Sequence, residues 1–417
     1  MINRRHALSL FMAAGLGACF KREDGLRIWA MGTEGEKVAP FIDAFNRKTN
    51  GPKFRSQALP WSAAHEKLLT AFAADNLPDV IALGNTWVSE FAALDALEPL
   101  NSYGFDTSNM FEAAIDNATI DGKLLGLPWY VETRLLFYRK DNLARAGFQN
   151  PPQTWAEWES QLASLNNIGN NHKFGAFMPV NEFEPLVAFC LQSNDAILSH
   201  NATKGGFQSQ GIKATFEFVK GLYDKGFAAI LSGAEAPDLY ASFGRGEFTF
   251  VITGPWNIAE MRKRLPKDVQ DKWATAPLPG PNGIGASILG GVSLGINKAS
   301  TNKQAAFELI KELTSASVQS EFSRATADLP AVKSAWAAAG LETDAKAQAF
   351  YRQLSLAKAP PKAPEWERIA NEMAIAMERV VRGIQGLDAA LAGLDVFAND
   401  ILAKRRYMLQ LKGNSHE

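Results

Sequence analysis

The chain has 417 residues, enough for two or three domains or for one large two-lobed body. With 47% hydrophobic and 21% charged residues it has a globular make-up, which sets aside a disordered, collagen-like or multi-span membrane chain. Lysine plus arginine, 43, nearly cancels aspartate plus glutamate, 44, and no basic stripe stands out, so the reading is no nucleic-acid partner. Ten tryptophans are the compositional excess, and tryptophan is kept either to fill a large core or to offer a flat apolar face to a ligand.

The N-terminus sets the compartment. Arg4 and Arg5 precede an apolar or small-residue stretch from Ala7 to Ala18, the pattern of a secretory signal peptide. At about 12 residues the stretch falls well short of the roughly 20 that span a bilayer as a helix. Leu16-Gly17-Ala18-Cys19 resembles the bacterial lipoprotein signal, in which the cysteine becomes the acylated first residue of the mature chain. An ordinary cleaved signal that happens to end beside a cysteine is the alternative. Twin-arginine export fits less well, because Asn3, His6 and Ala7 flank the two arginines poorly. Residues 1–18 carry two arginines and no acid, so their removal takes the formal net charge from −1 to −3. Residues 19–25 then read as a tether, and the expected location is the periplasm or the outer face of the cytoplasmic membrane, with a lipid anchor at Cys19. An acylated Cys19 leaves Cys190 without a partner, so no disulfide is expected, and Leu186, Val187, Phe189 and Leu191 mark Cys190 as a core position.

The body alternates strand and helix patterns. Leu26 to Met31 reads as a strand, followed by a loop and by a helix whose apolar face is Val38, Phe41, Ile42 and Phe45. Phe54 to Leu59 is a second strand, Ser62 to Ala74 a helix with Leu68, Leu69 and Phe72 inward, and Asp79 to Leu83 a third strand. This alternation predicts parallel strands joined by helical crossovers, an α/β architecture. Thr154-Trp155-Ala156-Glu157 has capping-box form and starts a helix running to about Asn166. A helix over Ala214 to Asp224 and a strand over Phe248 to Ile252 follow, and Lys303 to Leu411 is mostly helical around a loop from Ala359 to Pro364.

Catalytic motifs are missing. There is no Walker A sequence, no Gly-x-Ser-x-Gly and no His-Glu-x-x-His, and the five histidines are scattered, with His65 placed on a helix at a surface or rim position. No metal or cofactor is expected. A glycosidase needs only two carboxylates placed by the fold, so an extracytoplasmic carbohydrate hydrolase stays as the alternative from another class. Aromatics recur where strands end: Trp61, Trp87 in Gly84-Asn85-Thr86-Trp87, Trp129 with Tyr130, and Trp256 in Thr253-Gly254-Pro255-Trp256. In an open α/β sheet the ligand crevice lies beyond the carboxyl ends of the strands, so these aromatics gather at one cleft. Flat faces with a few acids and amides beside them suit a sugar ring.

The chain resembles the extracellular solute-binding proteins of bacterial ABC importers, in the sugar-binding group that includes maltose- and trehalose-binding proteins. The resemblance runs from the Cys19 signal to about residue 400. It rests on Trp29-Ala30-Met31-Gly32, Leu77-Pro78-Asp79-Val80, Gly126-Leu127-Pro128-Trp129, Leu136-Phe137-Tyr138-Arg139-Lys140-Asp141, Phe243-Gly244-Arg245-Gly246, Gly254-Pro255-Trp256, Gly290-Gly291-Val292-Ser293-Leu294-Gly295-Ile296 and Asp328-Leu329-Pro330, in that order. It implies a two-lobed periplasmic-binding-protein fold of type II, each lobe a mostly parallel sheet flanked by helices, with the ligand cleft between the lobes. Lobe one is expected over 26–131 and 293–329, lobe two over 135–288 and 332–412, with crossings near Val131 to Leu135, Leu289 to Val292 and Leu329 to Ala331. It further implies capture of a di- or oligosaccharide by a monomer that docks on permease transmembrane subunits, with no reaction catalysed; a polyol or glycerol phosphate is the alternative solute. The binding positions it implies are Glu34, Gly35, Trp61, Asn85, Thr86, Trp87, Tyr130, Glu132, Trp256, Gly290 and Gly291. Relatives often add a cation from the late loop, here Lys358-Ala359-Pro360-Pro361-Lys362, which lacks the expected arginine; Arg134 is the substitute.

Overall fold

The computed structural model describes residues 25–169, 172–236 and 238–414; the signal peptide and Cys19 of the sequence reading lie outside them. The strands that carry the architecture are β1 (Leu26–Met31), β2 (Phe54–Leu59), β3 (Val80–Gly84), β4 (Leu127–Thr133), β5 (Leu135–Arg139), β6 (Phe174–Phe177), β7 (Phe248–Thr253), β8 (Trp273–Ala276), β9 (Leu289–Ile296) and β10 (Leu329–Pro330). The helices that matter for the site are α1 (Gly32–Lys37), α2 (Ala39–Lys48), α3 (Trp61–Ala73), α4 (Glu112–Ala118), α5 (Trp155–Leu165), α6 (Trp256–Arg264), α7 (Ala316–Thr326), α8 (Ala345–Leu354) and α9 (Trp366–Val381).

Two sheets result. The first has the order β10-β4-β9-β3-β1-β2 and the second β8-β5-β7-β6. β1 runs parallel to β2, Leu26 opposite Phe54, and to β3, Ile28 opposite Val80. All of β3 is buried, as a strand covered on both faces requires of its continuous apolar run. Val38, just ahead of α2, and Ile42 and Phe45 within it turn to the same core as the periodicity predicts, with the half-buried Phe41 packed against it. Sequence alternation predicts mostly parallel sheets, and hydrogen-bonded neighbours depart from this: β9 is antiparallel to both β3 and β4, β10 to β4, and β5 to both β7 and β8. The reason is traffic between the sheets. β4 carries the chain out of the first sheet and its neighbour β9 carries it back in, so the two run in opposite directions.

A single residue, Arg134, separates β4 in the first sheet from β5 in the second. Around it three segments are tied together. Thr133 Oγ1 donates to the Ile288 carbonyl at 2.7 Å, Ser287 Oγ to the Arg134 carbonyl at 2.7 Å, and the Lys358 and Leu289 backbones pair with Ser287 and Lys358 at 2.9 Å each. Beneath this junction Phe111, Val131, Leu135, Leu289, Leu329 and Trp336 share one apolar cluster, which keeps the joint dry. Past Pro330 the chain stays with the first sheet: Val332 N–H donates to Gln319 Oε1 at 2.9 Å and Lys333 N–H to the Asn109 carbonyl at 2.8 Å. Only α8 returns it to β8, where Thr275 Oγ1 donates to the Lys346 carbonyl.

Each sheet has its own core, Ile28, Ile81, Leu83 and Leu294 in the first and Trp158, Phe189, Phe250 and Met373 in the second. Cys190 lies fully buried in the second, and burial pushes its thiol pKa up. Thr154 and Glu157 form the expected capping box at the start of α5, with Glu157 N–H donating to Thr154 Oγ1 at 3.1 Å.

Candidate ligand-binding cleft

The carboxyl ends of β3 and β4 reach the Arg134 junction, as does that of β7, whose Thr253 lies opposite Leu135. The expected first loop is instead helical: α1 begins directly after β1 and carries Glu34 and Gly35. A Cβ at Gly35 would fall 2.6 Å from the Ala30 carbonyl, so glycine is demanded there by the packing of α1 on β1, and Glu34 is the member of the pair that brings chemistry. The Trp61 indole, at the start of α3, crosses the same turn, within 2.6 Å of where a Cβ on Gly32 would stand. Trp61 is 42% exposed.

Trp61 meets Trp87 at 5.6 Å between ring centroids, and His65 stacks on Trp87 at 5.0 Å. Glu90 Oε2 lies 2.6 Å from His65 Nε2, and that hydrogen bond raises the pKa of the imidazole. Trp87 itself is buried, and its Nε1–H donates to Glu367 Oε2 at 3.0 Å; Thr86 Oγ1 donates to the same oxygen at 3.2 Å. Glu367 stands in the first turn of α9, whose core lies with the second sheet, so this carboxylate joins the two halves of the molecule. Asn85 is held by its backbone, receiving Asn117 Nδ2–H at its carbonyl (3.1 Å) and donating its N–H to Gly291 O (3.1 Å).

At the crossing, Gly290 lies opposite Glu132 on β9, and a Cβ there would stand 2.5 Å from Glu132 Oε1. The missing side chain makes room for the Glu132 carboxylate. Gly291 has φ 111°, a conformation that favours glycine, and its Cβ space is taken by the Tyr130 carbonyl. Arg134 is buried, donating to Glu132 Oε1 at 3.4 Å and Glu184 Oε1 at 3.0 Å. Burial opposes its charge, but the two glutamates more than offset this and hold the guanidinium protonated. Its Cζ lies 4.7 Å from the Trp256 ring centroid, a cation–π contact that ties the junction to α6. Trp256 is 41% exposed.

Trp129 and Tyr130, like Trp87, are buried. Trp129 is a core plug stacked on Phe322 at 4.6 Å, not a cleft residue. Tyr130 is buried beside it, and burial, with the charges of Glu34, Asp328 and Glu132, lifts its hydroxyl pKa well above the ordinary value. Both late-loop lysines are committed elsewhere: Lys358 Nζ donates to the Leu191 carbonyl at 2.7 Å, and Lys362 Nζ pairs with Asp116 at 2.6 Å. A groove of about 850 Å³ beyond that pair is lined by residues such as Asp195, Lys358 and Arg405, and by none of the twelve candidates.

The family model of bacterial extracellular solute-binding proteins matches residues 41–349. The chain belongs to that family. It is 44% identical to the sugar-binding protein MalE of Xanthomonas citri, with a TM-score of 0.90 over 93% of this chain and 99% of that one. It is 23% identical over 374 residues to the diacetylchitobiose binding protein DasA of Streptomyces coelicolor, covering 88% of this chain and 87% of that protein. A galactooligosaccharide-binding protein of Bacillus subtilis is 23% identical over 362 residues, 86% of this chain and 85% of its own length. The fold of this solute-binding protein is thus the two-lobed periplasmic one, and membership places it outside the cytoplasm. Among the described residues no helix is long and apolar enough to cross a membrane.

Two residues of this solute-binding protein's cleft escape the sequence reading. Glu367 reads as an ordinary acid in a first helical turn. Asp328 stands within Asp328-Leu329-Pro330, but its position beside Glu132 depends on strand pairing that sequence does not display.

Proposed function

We propose that this solute-binding protein captures a di- or oligosaccharide of the maltose or trehalose type between its lobes and delivers it to the transmembrane subunits of an ABC importer. The observation that carries this is a continuous line of groups. It runs from the half-exposed Trp61 through Glu34 and Glu132 to Arg134 and the half-exposed Trp256, each tryptophan opening a helix that follows a strand of a different sheet. Apolar faces at both ends and carboxylates between them match a sugar's CH faces and hydroxyls. Its similarity to the sugar-binding MalE of Xanthomonas citri supports the same class. A phosphate-bearing solute is disfavoured, since Glu34, Glu132 and Asp328 act on one another as neighbouring acids and Arg134 is already paired with Glu132 and Glu184.

On this reading Glu34 and Glu132 accept from hydroxyls, Asn85 donates and accepts, Trp61 and Trp256 present ring faces, and Tyr130, Gly290 and Gly291 shape the floor. Thr86 and Trp87 act through Glu367, and Gly35 through the seat of α1. Lobe one comprises 26–131 and 293–329, lobe two 135–288 and 332–412, with residues 332–338 resting on lobe one. The protein works as a monomer, catalyses no reaction, and is held at the membrane by acylation of Cys19. Cys19→Ala is expected to release the protein or block its processing; wild-type protein that fractionates as soluble without acyl groups contradicts the anchor.

A thermal-shift screen of the mature protein against a sugar panel tests the function. Ligand at a hundred times its dissociation constant adds about 2.7 kcal/mol of stability. A stabilising disaccharide with no turnover of reporter glycosides supports capture, whereas turnover makes the protein a hydrolase.

A further inference from the structure

His65 stands in the cleft wall with one of its two ring nitrogens already committed. It follows Trp61 by four residues on α3, so the two side chains share a helix face. Both rings meet Trp87, Trp61 tilted against it and His65 stacked on it with 29° between the planes. The stack fixes the plane of the imidazole, and Glu90 Oε2, 2.6 Å from Nε2, fixes which edge points to α3's neighbour. A carboxylate only accepts, so Nε2 is the donor in that bond and Nδ1 is the nitrogen left over. Nδ1 bonds to no described residue, and it is not among the polar atoms shut off from solvent. Its setting is the cleft. Trp61 beside it shares the space over Gly32 with Glu34 Oε2, and Glu367, which reaches Trp87 from α9, acts on the imidazole from the second half of the molecule.

We propose that His65 is a further sugar-binding residue, whose Nδ1 hydrogen-bonds a hydroxyl of the saccharide that lies against Trp61. The inference rests on the sugar-capture reading above and adds a residue that decides which hydroxyl is read. The bond to Glu90 raises the imidazole pKa against the opposing effect of burial, so Nδ1 carries a proton, and donates, over a wider pH range. Once that proton is lost Nδ1 accepts, because the remaining one stays on Nε2 with Glu90. A hydroxyl answers both states, since it accepts and donates. An ionised carboxylate or phosphate answers only the protonated state, and it would meet Glu66, Glu90 and Glu367, the acids that act on the ring from α3 itself, from the turn after Trp87 and from α9. An ammonium answers only the neutral state. The exposed Trp61 ring one helical turn away offers the apolar face that a sugar's CH surface needs beside its hydroxyls. No group of three or more histidines, cysteines and acids among the described residues could hold a metal ion, which sets aside a ligand role for Nδ1 toward a cation.

The test is a cycle between protein and ligand. Wild type and His65→Gln, whose amide can still donate to Glu90 but which has no counterpart of Nδ1, are titrated calorimetrically with maltose and trehalose and with the monodeoxy derivatives of each. One particular hydroxyl is expected to cost wild type at least about tenfold in affinity when removed, and to cost His65→Gln less than about twofold. If His65 only positions Trp87, every deoxy derivative loses the same factor against both proteins and the proposal falls, while sugar capture stands. If wild type binds neither disaccharide, the parent reading falls and takes this one with it. Nitrogen NMR of the imidazoles in the wild-type protein decides the matter should the variant fail to fold. The disaccharide that binds should shift the His65 Nδ1 resonance, and one monodeoxy derivative should fail to do so. An Nδ1 signal that stays in place, or that every derivative moves alike, overturns the proposal.

Discussion

At the scale of single residues, exposure separates tryptophans that sequence alone treats alike. Trp129 is 1% exposed and Trp256 41% exposed. Trp129→Ala should therefore cost about 3–5 kcal/mol of stability, the usual result of emptying a core site of that volume. Trp256→Ala should cost less than about 1.5 kcal/mol in the sugar-free protein yet weaken sugar binding at least about tenfold. Chemical denaturation and calorimetry on the two variants give both quantities, and a Trp256 variant that melts far earlier but binds normally would make that ring a core plug. The Glu34–Asp328 pair makes a pH prediction of definite sign. Both carboxyls have folded-state pKa values raised above the ordinary 4.5 and 3.8, so the folded state binds more protons than the unfolded state between those values and the raised ones. The pair's contribution to the stability of the sugar-free protein should accordingly rise as pH falls from neutral toward the ordinary carboxylate range, against the opposite contribution of half-buried His172, whose pKa burial lowers to about 4. His65, whose pKa is also raised, adds stability that is lost as pH rises through its folded value, in the same direction. Comparing Asp328→Asn with wild type isolates the pair: the variant should show a smaller gain on acidification, and an identical gain would contradict the raised pKa.

At the scale of elements, what could be read from sequence was what depends on neighbours along the chain. The face of α2 through Val38, Ile42 and Phe45, the run of β1 and the Thr154 capping box are all local patterns, and each has its expected place. The direction of β9 and β10 was not legible, because antiparallel pairing with β4 follows from where the chain re-enters the sheet. Nor was the helical form of α1, where Gly32-Thr33-Glu34-Gly35 reads as a loop until Gly35 is seen packed on Ala30. Site legibility has the same limit: the sequence offers Thr86 and Trp87 as candidate positions, but their partner Glu367 lies about 280 residues away on a helix of the other half. That contact predicts a phenotype. Glu367→Ala removes an acceptor shared by two donors from the opposite lobe, each such bond to a charged group contributing about 1.5–3 kcal/mol. The sugar-free variant should sample a wider spread of lobe separations, measured by spin-label distances between one label on α3 and one on α9. An unchanged distribution would mean that Glu367 merely caps its neighbours.

At the scale of the whole molecule, the four hydrogen bonds that tie three segments around Arg134 and the apolar cluster below them make the junction the natural pivot, and the line from Trp61 to Trp256 spans it. A ligand touching both tryptophans contacts both lobes only when they approach, so its binding energy favours the closed arrangement. The alternative of a rigid enzyme cleft predicts no such change in shape. Small-angle scattering of the mature protein, with and without saturating disaccharide, addresses that difference directly. Capture between lobes predicts a fall in the radius of gyration on adding the sugar that the thermal-shift screen identifies, and a scattering profile unchanged at saturation would contradict it.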